Sequence, residues 1–165
     1  RHACTRFEVN GVTDLPLDAL VRLRERARYV AAVVDANGKV IRLGRKVANA
    51  EELLESLRNP VNLDHGRNRR LADANQHLAK RVMYRTCAIP GCRVPSARCE
   101  LHHVHEWEQG GPTDMDNLVP ICPYHHDRIH TDGWTLELKA DRSLIVRKRG
   151  VVLMATGPPA EQWAA

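Results

Sequence analysis

Apolar and polar residues recur with two different periods along the chain, and each change of period marks an element. Leu17, Leu20, Val21 and Ala27 follow helical spacing behind Asp14-Leu15-Pro16, with Arg22, Arg24, Glu25 and Arg26 on the solvated side. Residues 29–34 are rich in β-formers, Asn37-Gly38 is a strong hairpin signal, and residues 39–43 return as the partner strand. A short amphipathic helix is predicted over 48–57, with Leu53, Leu54 and Leu57 on its apolar side and Asn59-Pro60 as its stop. The basic stretch 65–70 reads as a loop. A further helix is predicted over 73–83, with Leu78 and Val82 at i, i+4. It carries Lys80, Arg81 and Arg85 toward a region, 86–133, dense in Cys, His, Gly and Pro. Residues 134–138 and 144–147 then alternate like strands around Asp141-Arg142-Ser143, which predicts a hairpin. The tail from Gly157-Pro158-Pro159 onward reads as frayed.

Composition narrows the class. A chain of 165 residues with 43% hydrophobic content can bury a core, and with only 4% aromatics that core must be mainly aliphatic. No apolar run reaches the length of a membrane span and no charged, apolar leader opens the chain, so no membrane partner is expected. The first residue is Arg1 rather than Met, which predicts a processed or excised fragment. A net charge of +5 permits nucleic acid as a partner without demanding it. Taken singly, Lys80, Arg81 and Arg85 read as solvated residues; as a set they read as a phosphate-contacting surface.

Cysteine and histidine change the picture most. The five cysteines, Cys4, Cys87, Cys92, Cys99 and Cys122, are odd in number, which argues against a disulfide framework. Six of the nine histidines fall between 102 and 130, in the region that also holds four of the cysteines. Cys87 and Cys92 have four residues between them, Cys122 and His125 two. Thiolate and imidazole at knuckle-like spacing suit a closed, tetrahedral structural zinc site. Cys99 is a competing ligand without a partner at suitable spacing, and Cys4 has no evident role. Reduced metal-ligand cysteines and the missing leader predict a cytoplasmic protein.

A second pattern is interleaved with the first. His126 and His130 are i, i+4, so on a helix both imidazoles share a face and can chelate one ion. His102 completes a three-histidine set that leaves positions for water and substrate. In a strand the adjacent His102 and His103 point to opposite faces, so one can bind metal while the other takes a proton. Three neutral imidazoles favour Mn²⁺, Co²⁺, Ni²⁺ or Zn²⁺ over Mg²⁺, which prefers oxygen ligands. Arg128 is a candidate phosphate contact or a solvated residue of the same helix, and Glu106 is a minor candidate for assisting the ion. Trp107 reads as packing under its loop, with Asp114 and Asp116 as turn-capping residues.

At these residues the chain resembles the HNH endonucleases, with their ββα-metal (His-Me finger) site. Cys-x4-Cys, Leu101-His102-His103-Val104, Gly110-Gly111-Pro112-Thr113-Asp114, Asn117-Leu118-Val119-Pro120 and Cys-x2-His-His-x3-His occur in the family's order over roughly 85–134. More weakly, 33–45 and 66–85 resemble the region upstream of the nuclease in actinobacterial and actinophage HNH proteins. That likeness implies the C-terminal part of a longer protein.

The resemblance implies roles. His103 matches the general base that activates water, and Asn117 the middle residue that holds the loop and orients that base. His126 or His130 supplies the final metal-binding histidine, and His102 falls where many members carry an aspartate ligand. A His at that position with His-x3-His is closer to colicin-type domains, which lack the cysteine knuckles. Magnesium, the family's usual ion, is therefore less expected here, and the implied products are a 5′-phosphate and a 3′-hydroxyl. The expected fold is α+β: a ββα-metal core with a zinc knuckle, preceded by a small helix, β-hairpin and helix. The expected organisation is an N-terminal region over 1–84, the nuclease with a C-terminal hairpin over 85–150, and a tail over 151–165. The expected function is metal-dependent DNA hydrolysis, with Arg81, Arg85 and Arg128 toward DNA. The alternative is a zinc-stabilised nucleic-acid-binding module with an inactive nuclease site.

Overall fold

The computed structural model describes residues 27–162 and, upstream of them, a two-stranded pairing of β1 (Glu8–Val9) with β2 (Val12–Thr13). The helix expected behind Asp14-Leu15-Pro16, through Leu17, Leu20, Val21 and Ala27, lies outside the described residues except for Ala27, and Cys4 lies outside them too. The remaining elements are β3 (Ala32–Val34), β4 (Val40–Leu43), α1 (Leu53–Ser56), α2 (Ala74–Met83), β5 (Glu100–His103), β6 (Leu118–Ile121), α3 (Pro123–Thr131), β7 (Trp134–Leu138), β8 (Leu144–Lys148), β9 (Val151–Ala155) and α4 (Pro159–Gln162). The class is α+β, as the sequence predicts. No helix among the described residues is long and apolar enough to cross a membrane.

The β3–β4 hairpin forms where Asn37-Gly38 predicts it. Asp35 Oδ1 accepts from the amides of Asn37 and Lys39 at 2.9 Å each, and Gly38 takes the left-handed φ of 79° that the turn needs. Helix α2 begins on a reciprocal cap. Asp73 Oδ1 accepts from the amides of Asn75 and Gln76, and the Gln76 side chain accepts from the Asp73 amide. Strands β5 and β6 pair antiparallel, with His102 opposite Val119 and His103 opposite Leu118, and lead into α3. All four residues of β6 are buried, so this strand carries β5 on its edge while its own side chains join the core. Burying side chains such as Leu118 and Ile121 contributes about 1.5–3 kcal/mol each.

One core runs through these elements. Val40, Leu43, Ala79 and Met83 belong to the same buried cluster as Ile89, Val119, Ile121, Ile129, Leu144 and Val146. Two cations lie inside it. Lys80 is fully buried and donates from Nζ to Met115 O at 2.7 Å. Arg142 is 2% exposed and donates to Asp116 O at 3.0 Å and Leu118 O at 2.9 Å. Burial, then the nearby Arg142 charge, pushes the Lys80 amine well below its ordinary range. Asp116 faces both cations and also pairs with Lys39 at 2.5 Å.

Several expectations are corrected. Lys80 is a core residue and belongs to no phosphate-contacting surface. The buried face of α2 is Gln76, Ala79, Lys80 and Met83, while Val82 is exposed, because a capped helix lying on β4 sets its phase by packing rather than by one i, i+4 pair. Leu54, assigned to an apolar side, is 79% exposed. The chain from Gly157 is not frayed at its start, since α4 forms over Pro159–Gln162 and the Ala160 amide donates to Asn37 O at 3.1 Å, tying it to the first hairpin; ahead of it, β9 adds an unpredicted third strand to β7–β8. Asp114 accepts from the Gly66 amide at 2.6 Å, so it clasps an upstream loop rather than capping its own turn.

Replacing Asp73 by Ala removes the cap and the contact of Oδ2 with His65 Nε2, and is expected to cost about 1 kcal/mol in urea unfolding at neutral pH. Burial pulls the Asp73 carboxyl up, but the Gln76 amide and His65 outweigh it and hold it below the usual value. Its contribution is therefore full above the unfolded-state pKa and is lost as pH falls through the lower folded value. The difference between Asp73→Ala and the parent should shrink in strong acid.

Candidate functional site

Residues 87–92 form a tight knuckle. The Cys87 amide donates to Val94 O, the Cys92 amide donates to Ile89 O, and Gly91 supplies the positive φ of 75° that the turn requires. Cys122 is the N-cap of α3, with Pro123 at the first helical position, so Cys122 and His125 sit one turn apart facing the knuckle. Cys92 Sγ lies 3.9 Å from Cys122 Sγ, and His125 Nδ1 lies 3.3 Å from Cys122 Sγ and 3.7 Å from Cys87 Sγ. The four ligand atoms lie within 4.8 Å of one another. A tetrahedron built on Zn–S of ~2.3 Å and Zn–N of ~2.0 Å has edges of about 3.8 and 3.5 Å. The residues therefore fit zinc, and the sulfur separation is far too long for a disulfide.

The charges agree with that fit. The neighbouring Cys99 thiol and burial push Cys87 up, and burial with the adjoining thiols pushes Cys92 up to about 11. Thiols gathered this closely ionise only against a cation. The Cys122 amide also donates to Cys87 Sγ at 3.3 Å, the kind of outer bond that steadies a ligating sulfur. Cys99 is buried and donates to Pro95 O, outside the set.

The second group lies one residue further along α3. His126 and His130 share a face, with their Nε2 atoms 3.3 Å apart, and the ring of His102 is 5.1 and 5.5 Å from theirs. The three ligand atoms lie within 4.8 Å of one another. A tetrahedral N···N edge at ~2.0–2.1 Å bond length is about 3.3 Å. Three imidazoles can thus hold a divalent ion. Burial, then His126 and His130, pushes His102 down to about 4, so its imidazole is neutral across the physiological range. Glu100 Oε2 lies 3.3 Å from His126 Nδ1, leaving Nε2 for the group's interior. Glu106 Oε1 is 3.9 Å from His102 Nε2.

His103 turns to other partners. Its Nε2 is 2.9 Å from Thr113 Oγ1, and its ring is 5.9 Å from that of Trp107. Burial lowers its pKa, outweighing the pull of Glu106 and Glu108. Asn117 closes the intervening loop. It accepts from the His105 amide at 2.7 Å and donates to His105 O and Pro112 O at 2.9 and 2.8 Å. Gly111 is needed under this closure, since a Cβ there would meet His105 O at 1.8 Å.

His102, His103, His126 and His130 open into one cleft of about 610 Å³, which Arg70 and Trp107 also line. The structure does not bring the three predicted DNA-contacting arginines there. Arg128 is held along α3 by Asp132 and by Tyr124 Oη. Arg81 is exposed beside His77 and Ser96 in a separate shallow pocket, and Arg85 is exposed beyond α2. Sequence reasoning missed Arg70, Arg67, Thr113 and Glu100. Arg67 lies 3.8 Å over the Trp107 ring and donates to Trp107 O and Gly111 O, locking the basic loop onto the cleft wall. The basic run at 65–70 was the available signal, but spacing alone does not say where a loop lands.

Replacing Cys92 by Ser is expected to lower zinc content and the melting temperature together, because structural zinc binding is folding free energy. His126→Ala should keep the cysteine-bound zinc while losing the second ion. Metal analysis and thermal melts of the two variants check this.

A family model for HNH endonuclease matches residues 85–132. An uncharacterised protein of Mycobacterium tuberculosis is 34% identical over 140 residues, covering 85% of this chain and 25% of that relative. A second from the same species is 29% identical over 130 residues, 79% of this chain and 24% of the relative. One from Mycobacterium bovis is 27% identical over 124 residues, 75% of this chain and 22% of the relative. The chain thus spans about a quarter of the length of these relatives. No solved structure matches it significantly. The segment that carries both candidate metal groups is a domain of the HNH endonuclease family.

Proposed function

We propose that the chain is a metal-dependent DNA endonuclease that hydrolyses phosphodiester bonds with one divalent ion and a histidine base. What supports this most is the meeting, in one open cleft, of three clustered imidazoles with a fourth, His103, held apart from them by Thr113. Bound by His102, His126 and His130, a divalent ion supplies charge stabilisation at the scissile phosphate and leaving oxygen. All-imidazole ligation favours Mn²⁺, Co²⁺, Ni²⁺ or Zn²⁺ over Mg²⁺. His103 takes the proton of the attacking water, and its lowered pKa keeps it unprotonated at neutral pH. Asn117 keeps the loop between the strands closed around it. The cysteine group holds zinc and anchors α3.

Arg70 supplies the cleft's phosphate contact. Its guanidinium pairs with Glu108 at 2.8 Å, and both side chains are more than half exposed. Such surface pairs contribute about 0–1 kcal/mol, so a phosphate can displace the glutamate.

Supercoiled plasmid DNA is expected to be relaxed or linearised with Mn²⁺, Co²⁺ or Ni²⁺ and to stay intact in EDTA. His103→Ala should lower the rate by at least ~10²-fold while DNA is still bound. DNA binding without cleavage under any ion would replace this reading with the inactive binding module. Arg70→Ala should weaken binding across DNA sequences and reduce the slope of log affinity against log salt by about one.

A further inference from the structure

Thr113 is fully buried where the upstream segment crosses the nuclease loop. Its amide donates to Gly66 O at 2.8 Å, and its carbonyl accepts from the His65 amide at 3.2 Å and from Gln76 Nε2 at 2.8 Å. Gln76 is itself fully buried, so its bond to Thr113 is shielded from water. With the main chain fixed in this way, the hydroxyl has a set position: 3.1 Å from Arg70 O and 2.9 Å from His103 Nε2.

Proton counting decides the direction of these two bonds. A carbonyl oxygen only accepts, and a hydroxyl carries one proton. When that proton goes to Arg70 O, the hydroxyl oxygen can only accept from His103, so Nε2 must carry the ring hydrogen. The opposite arrangement, with Thr113 donating to a bare Nε2, forfeits the bond to Arg70 O at a buried site. Of the two ring nitrogens, Nδ1 is the one without a hydrogen-bond partner among the described residues.

We propose that Thr113 is a positioning residue: braced by the Arg70 carbonyl, it holds His103 as the Nε2–H tautomer and leaves Nδ1 as the atom that receives the proton. This rests on the reading of His103 as the base. It also assigns a task to the upstream segment. Arg70, Gly66 and Gln76 lie outside the residues matched by the family model, yet they set the chemistry of a residue inside it.

The test has two independent readouts. Long-range ¹H–¹⁵N correlation spectra of the zinc-loaded chain, with labelled histidine, report which ring nitrogen of His103 carries the hydrogen. The parent and Thr113→Ser should show the Nε2–H form, and Thr113→Val, which keeps the shape and loses the hydroxyl, should not. An Nδ1–H form in the parent, or an unchanged tautomer in Thr113→Val, overturns the proposal. In plasmid cleavage, Thr113→Val should lower kcat by ~10–100-fold, the usual effect of losing an outer hydrogen bond to a site residue. KM for DNA and zinc content should be unchanged, and Thr113→Ser should recover most of the rate. A parallel loss in Ser and Val variants, or a loss seen in KM alone, also overturns it. If the parent itself cleaves no DNA, the nuclease reading fails, while the spectra still decide the tautomer.

Discussion

Helix α3 carries candidate ligands of two groups at once, and most of the structure answers to that constraint. Consecutive residues on an α-helix point ~100° apart. His125 and His126 therefore face different groups, one toward Cys87, Cys92 and Cys122, the other toward His102. The cysteine group fixes where α3 begins and its rotation about its own axis. Once that phase is set, His126 and His130, one turn apart, fall against β5. A small shift at Cys122 would move both histidines away from His102, so the closed group governs the geometry of the open one.

The loop between β5 and β6 is held from outside residues 85–132, the segment that the family model matches. Asn117 and Gly111 close it locally. Lys80 and Arg142 then hold the carbonyls of Met115, Asp116 and Leu118 on either side of Asn117, one from α2 and one from the turn before β8. Two buried cations are a costly way to hold a backbone, and only several well-formed bonds offset their desolvation. Here Lys80 is bonded to Met115 O, and Arg142 to Asp116 O and Leu118 O with Asp116 Oδ1 at 3.4 Å. Arg67 on Trp107 and Gln76 on Thr113 complete the brace. A core that runs unbroken from β4 and α2 into β6 and α3 gives these contacts a rigid base.

Much of this was legible in the residues. The Asn37-Gly38 hairpin, the helix from Asp73 and the metal-ligand spacings all depend on local patterns, which sequence records directly, while the strand pair at His103 followed from the family resemblance. The candidate ligand atoms of each group lie within 4.8 Å of one another because short spacings on a helix or in a knuckle leave little freedom. The tail was harder. Val151, Val152 and Leu153 are an exposed edge strand, and only pairing with β8 makes them one. Leu54 and Val82 read as core by spacing, but a short or already capped helix takes its buried face from its neighbour.

The sequence by itself determined the chemistry available: which residues can ligate, which can take a proton, and the order in which they occur. Those properties are intrinsic to side chains and to separations of a few residues. Tertiary structure alone decided the fate of the basic residues. Lys80 and Arg142 went into the core, and Arg70 came to the cleft. A long cationic side chain has no preferred side of its own. Where it ends depends on which carbonyls and carboxylates the folded chain brings within reach, and those partners lie tens of residues away.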